Sequence, residues 1–322
     1  MNIPQRAVAV GLGAALLQAL MLIAFAWPAV HTAPRDLPVA VTGPGVAQVV
    51  QRLAERSPGA IEPRTVSDEA AARAALAERE VYGAILTGPQ PRVLVASGAS
   101  PLVAQQLTQL AQQLSGVQSA SAVEDVVPAD PDDPRGAGFG AMALPLVMSG
   151  IAAGVLLSLL VPTAAARIAG LATFAVAGGL LSMVIVQGWL SILPGEYPVL
   201  AGVAGLVSFA VAGAVAGLAT AVGRAGIGIA ALTMLLVGNP FSAATSAPEL
   251  LPQPWGAIGQ ALPPGAAVSL LRSVAFFDGA GAGGPLLVLL IWAAVALVLL
   301  GVGVVRERNV EPEPARAVPQ PA

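Results

Sequence analysis

The run AVAVGLGAALLQALMLIAFAW, Ala7 to Trp27, carries no charge, and neither does FGAMALPLVMSGIAAGVLLSLL, Phe139 to Leu160. A helix rises about 1.5 Å per residue, so roughly 20 apolar residues cross a hydrocarbon core of about 30 Å. Both runs meet that length. Between them, Val30 to Gly138 has the charge density and the Gly/Pro punctuation of an ordinary soluble domain. The predicted order is therefore one span, a large extramembranous insert, then a block of further spans.

On the same ruler six spans are predicted, at about 7–27, 139–160, 168–190, 199–222, 225–245 and 284–305. The fifth is the weakest: its apolar run is only Ile227 to Val237, and Gly238-Asn239-Pro240 should kink or end the helix. The first span could be read as a signal peptide with Arg6 as its charged flank. Its apolar core is longer than the roughly 7–15 residues of such a segment, which favours an uncleaved anchor.

Of the 322 residues, 56% are hydrophobic and 10% charged, far below the roughly 25% charged residues of soluble domains. Ala, Gly, Val and Leu supply the apolar mass, which suits closely packed membrane helices. Every cation is an arginine, apart from the single His31, and cysteine is absent. Arginine with alanine suggests a GC-rich bacterial genome. Without lysine the chain cannot form a P-loop or a kinase site, because both need a lysine on the phosphates. Without cysteine it has no disulfide and no thiolate ligand. No Ser-His-Asp set, carboxylate pair or metal cluster stands out, so no enzyme, no cofactor and no nucleic-acid partner is expected.

Short-loop arginines set orientation. Arg6, Arg167, Arg224, Arg306, Arg308 and Arg316 all fall on one side of a six-span chain, whereas the opposite loop, Leu193 to Pro198, has no cation. Both termini are expected in the cytoplasm and the insert outside, in a multi-pass protein of the bacterial plasma membrane. The domains predicted are 1–30, the first helix; 31–138, an external α/β domain with linker; 139–305, a five-helix block; and 306–322, a disordered tail rich in Pro and charge.

Within the insert, Leu37–Thr42, Ile61–Val66, Val81–Leu86 and Arg92–Ala96 read as strands. Val46 to Arg56, a helix capped by Ser67 and running to Glu80, and Ser100 to Leu114 read as helices. The alternation argues a small α/β fold. The acids Asp130, Asp132 and Asp133 lack the spacing of a calcium loop and read as a solvated linker.

Phrases within this frame carry a family resemblance. Leu37-Pro38-Val39-Ala40-Val41, Ser67-Asp68-Glu69-Ala70-Ala71 and Glu80-Val81-Tyr82-Gly83-Ala84-Ile85 resemble the external domain of type-2 ABC transporter permeases and related YhgE/Pip-like bacterial membrane proteins. Gly238-Asn239-Pro240-Phe241-Ser242, Pro248-Glu249-Leu250-Leu251-Pro252 and Leu262-Pro263-Pro264-Gly265 are similar to the segment between the last two spans of such proteins. The resemblance covers nearly the whole chain, and it rests on the order of these phrases more than on any one of them. It implies a homodimeric or pseudo-symmetric permease that moves a lipid, drug or envelope precursor outward. A separate cytoplasmic ATPase would energise it, so ATP would enter only through a partner. The predicted cytoplasmic loop Val161 to Arg167 is a meagre docking surface. A non-transporting envelope or secretion-associated protein, whose external domain binds a partner, therefore stands as the alternative.

No charged residue lies in the middle of a predicted span, which argues against a proton relay. Gln18, Ser158, Thr173, Ser182, Ser208 and Thr233 are expected in helix–helix hydrogen bonds. Gly150-x-x-x-Gly154 and Gly213-x-x-x-Gly217 are close-approach spacings, for packing within the chain or for a dimer seam. Segment 246–278 reads as a re-entrant hairpin or as an interfacial helix with Arg272 snorkelling. As a gate it would draw on Arg272, paired with Glu249, Glu196 or Asp278, and on the helix break at Asn239 and Pro240.

Overall fold

Alternating small apolar residues and turn formers build the first folded unit. The computed structural model describes residues 3–115 and 123–309, and 68% of it is helical. Helix α1 (Ile3–Val30) leads through a short linker into β1 (Leu37–Thr42), α2 (Val46–Arg56), β2 (Ile61–Thr65), α3 (Glu69–Ala77), β3 (Gly83–Leu86), β4 (Arg92–Val95), α4 (Pro101–Ser115) and β5 (Val123–Asp125). The strands form one sheet in the order β2-β1-β3-β4-β5, parallel except for the β3–β4 hairpin. Helices α2 and α4 cover one face, over Leu37, Val39, Val41, Ile85 and Val95. Helix α3 covers the other, over Ala40, Ala84 and Leu94.

Most expected elements of this domain are present, with two differences. The cap of α3 is Asp68, not Ser67: its carboxylate accepts from the Ala71 N–H at 2.8 Å. Strand β5 has only three residues, too few to leave an alternation pattern in the sequence. A third correction concerns the acidic linker. Asp133 is buried, and its Oδ2 accepts from the Phe139 N–H at 2.8 Å in the first turn of the next helix, so it is a cap and not a solvated charge.

The remaining chain forms α5 (Ala137–Leu160), α6 (Ala164–Met183, continued by a π-helical turn Val184–Trp189), α7 (Tyr197–Val222), α8 (Arg224–Leu232, continued by a π-helical turn to Gly238), α9 (Trp255–Gln260), α10 (Pro263–Phe276) and α11 (Gly283–Asn309). Five of these, α1, α5, α6 with its extension, α7 and α11, are long and apolar enough to cross a membrane. This is consistent with a polytopic helical membrane protein. The segment expected as the fifth span is shorter, Arg224–Gly238. Its 15 residues reach roughly 22 Å, against a core of about 30 Å.

Helix α7 is the hub, with 78% of its apolar window buried against 17–28% for α5, α6 and α11 and none for α1. Small residues make this possible. Gly150 and Gly154 of α5 face Val211, Ala212 and Val215 of α7, and a Cβ on Gly154 would lie 2.6 Å from the Ala212 carbonyl oxygen. Gly213 and Gly217 of α7 face Ala296 and Leu299 of α11. Both glycine pairs thus lie in seams within the chain. Ser158 and Thr173 donate to carbonyls of their own helices, Gly154 and Ala169, rather than across an interface. The tail beyond Asn309 lies outside the described residues.

One end of the helix block carries the sheet domain. At the other end Arg167 donates to the Val161 and Ser158 carbonyls and to Thr220 Oγ1, and Glu307 accepts from the Ala164 N–H. The ends of α5, α7 and α11 therefore meet the start of α6 there.

Candidate functional site

Proline and glycine break the chain between α8 and α11 into pieces that cannot form one straight helix. Pro248, Pro252 and Pro254 interrupt it before α9, and Pro263-Pro264 open α10, where their missing N–H groups cost nothing. The pieces fold into a hairpin against α7. Val274 and Ala275, near the end of α10, lie beside Gly195 just before α7. Ala266, Ala267 and Leu270 cluster with Val207, Ala210 and Val211, roughly 15–20 Å along α7. The hairpin thus dips to about the middle of the hub helix. Trp292 of α11 steadies its turn, donating to the Ala261 carbonyl at 3.0 Å. The crossing of its two arms needs Gly259, where a Cβ would lie 1.9 Å from the Phe241 carbonyl oxygen. Ten of the fourteen residues of α10 are buried, so protein covers this helix along most of its length.

Arg272 is the centre of the hairpin and is only 4% exposed. The expected carboxylate partner is not there: among the described residues it makes no ion pair. Its guanidinium donates instead to the carbonyls of Ala243 (3.1 Å), Ser246 (3.1 Å) and Ala244 (2.7 Å), and it lies over the Phe139 ring at 4.8 Å. Glu196 is exposed just before α7, and Asp278 is exposed beyond α10. A run of carbonyls and a ring face can satisfy a buried guanidinium with partial charges.

The sheet domain grips the same hairpin from outside. Arg79, just past α3, has φ of +60°, a left-handed conformation that only glycine adopts without cost. That turn sends its side chain to Ser269 O and Ser273 Oγ of α10, with its guanidinium 5.2 Å from the Phe277 ring. Tyr82 donates its hydroxyl to Glu249 Oε2 at 2.8 Å. Burial first, and then the Glu249 charge, pushes the Tyr82 phenol well up, so it stays a neutral donor. Burial likewise lowers the Arg79 guanidinium below the ordinary arginine range. The linker after α1 adds Arg35, which donates to the Leu250 carbonyl at 2.9 Å.

The grip extends into both cores of the domain. Ala247 and Leu250 complete the α2/α4 side, and Phe276, Phe277 and Ala280 complete the α3 side. Beside the hairpin, Asn239 and Pro240 line a cavity of about 410 Å³ bounded by Phe25 of α1, Ala143 of α5 and the 242–246 loop. Of the expected gate residues, the fold brings Arg272, Glu249, Asn239 and Pro240 into one region, and leaves Glu196 and Asp278 at the surface.

Sequence reading missed Arg79 and Tyr82, the residues through which the domain holds the hairpin. The expected helix runs on to Glu80, but α3 ends at Ala77, and Arg79 takes the left-handed position where a glycine would be usual, so no local signal marked it. Among the described residues no group of three His, Cys, Asp or Glu could hold a metal ion. His31 bonds the Trp27 carbonyl at 2.8 Å. No family model, characterised protein or solved structure matches the chain.

Proposed function

We propose that this chain is the membrane-spanning subunit of an exporter that moves a lipid-like or envelope-related substrate outward, with a separate ATPase supplying the energy. The observation that carries the reading is the broken hairpin held at mid-depth of the hub helix and gripped by the sheet domain. Irregular backbone at membrane depth is tolerated where it is covered by protein or lines a cavity, and broken helices at the centre of a bundle are a transporter device. The cavity beside Asn239 and Pro240 gives such a segment a space to open into.

On this reading the chain crosses a sixth time through the short helix 224–238 together with the 239–246 segment after it, since the two lead from the Arg167 end back to Ala247 in the sheet-domain core. Arg6, Arg167, Arg224, Arg306 and Arg308 then gather at one side, which the positive-inside rule assigns to the cytoplasm. The sheet domain lies outside, and the protein is a multi-pass component of a bacterial plasma membrane.

One observation favours the alternative, a non-transporting envelope protein whose domain binds a partner. The loops at the arginine end are short: Val161 to Thr163 joins α5 to α6, and Gly223 alone joins α7 to α8. Arg167 and Glu307 are already used as caps there, so these loops offer little, among the described residues, to dock an ATPase.

Affinity purification of the tagged chain from its own membranes separates the two. The transport reading expects a co-purifying subunit with a P-loop and ATP-dependent movement of a fluorescent phospholipid across proteoliposomes. Loss of grip in Arg79→Ala/Tyr82→Phe should slow that movement. A preparation with neither a nucleotide-binding partner nor ATP-dependent movement would sink the transport reading.

A further inference from the structure

The α2/α4 face of the sheet has a second cavity, apart from the hairpin, whose core is left open. It measures about 640 Å³, within the roughly 300–1,000 Å³ of small-molecule sites. Its walls are apolar: Leu37 and Ile85 from the sheet, Val49 and Leu53 from α2, Leu107 and Leu110 from α4. Ser57, Thr87, Gln106 and Gln109 interrupt them, and so do two arginines. Arg52 and Arg56, one turn apart on α2, stand at the cavity exposed, and neither has a hydrogen bond or ion pair among the described residues. Their neighbour Glu55 instead accepts from Gln51.

From this we infer that the cavity is a binding site for a single-chain anionic amphiphile, with its hydrocarbon along the apolar walls and its carboxylate or phosphate head on Arg52 and Arg56. An apolar slot alone would take any oily molecule. Two exposed guanidiniums at its edge select a negative head, because arginine forks match carboxylate and phosphate oxygens. The cavity is also bounded by Pro34, in the short linker that leaves α1, so an acyl chain could enter close to where the first long apolar helix ends. The inference does not depend on the export reading, since the partner-binding alternative contains the same domain.

The test uses the full chain in lipid nanodiscs with a diazirine-labelled palmitate, mapping the photo-adducts by peptide. Adducts are expected on peptides from α2 and α4, displaced by palmitate and by hexadecyl phosphate but poorly by uncharged hexadecanol. Preferential displacement by one of the two anions identifies the head group. The exposed pair Arg52→Gln/Arg56→Gln should keep the fold and weaken labelling there roughly ten-fold. Val49→Trp, which fills the cavity, should abolish it. Adducts confined to the long apolar helices, equal competition by hexadecanol, or unchanged labelling in the double arginine variant would each overturn the assignment.

Discussion

Arg272 shows how a buried cation can be held without an acid. Three carbonyls of the 243–246 loop and the Phe139 ring receive it, so its role is to staple that loop to α10. Arg272→Ala removes the donor from three carbonyls, two of these hydrogen bonds being buried and one partly buried, and should cost about 3 kcal/mol. Arg272→Lys keeps the charge without the planar fork and should cost about half as much. Thermal unfolding in detergent, followed by tryptophan fluorescence, ranks the three proteins; equal midpoints for Ala and wild type would remove the staple. Gly259 makes an independent case. Gly259→Ala sets a methyl against the Phe241 carbonyl, and overpacking of this kind typically costs roughly 1–3 kcal/mol. Gly228 faces open space, so Gly228→Ala in the same assay is the control, and it should be neutral or mildly stabilising.

Helix α3 and strands β4 and β5 are tied by a surface ion network. Arg73 bonds Glu69 at 2.8 Å and Glu124 at 2.6 Å, and Arg92 bonds Glu69. Hydrogen bonds from Arg73, and then the charges of Arg73 and Arg92, hold both carboxyls below the ordinary glutamate range. A carboxyl depressed in the folded state contributes stability above its unfolded value, about 4.3, and loses it as pH falls through the folded value. The protein's melting temperature should therefore drop on acidification below about pH 4.3, and Glu124→Gln should flatten that dependence. An unchanged pH profile in Glu124→Gln would show that the network adds nothing measurable, as many exposed pairs do. Salt should weaken the same contribution.

The sheet domain and the hairpin share their cores, which bears on whether the domain can stand alone. A fragment of residues 35–128 would expose the surfaces that Ala247, Leu250 and Phe277 cover in the full chain. It should melt at a lower temperature than the same domain in the intact protein, and calorimetry of the two would measure the gap. A fragment as stable as the intact domain would mean the grip is a contact without consequence. The orientation proposed from the arginines is open to a direct check. In this cysteine-free chain, Ser57→Cys should react with an impermeant thiol reagent on intact cells and Asn309→Cys should not. The reverse pattern would invert the topology.

Length, apolarity and local periodicity are properties of the chain itself, and they sufficed for the long apolar helices and for the alternation of strands and helices from Leu37 to Ser115. Turn and helix breakers are equally local, so the breaks at Asn239-Pro240 and Pro263-Pro264 were readable. What Arg272 bonds was not, because its partners are backbone carbonyls, which every residue carries and no sequence marks. The same holds for the three-residue β5, whose pairing with β4 supplies the order its own length cannot. Arg79 and Tyr82 read as ordinary domain residues until folding brings Arg79 to Ser269 of α10, 190 positions on, and Tyr82 to Glu249, 167 positions on. Contacts of that separation are settled by packing, and here by where small residues let α7, α10 and α11 come close enough to set the hairpin's depth.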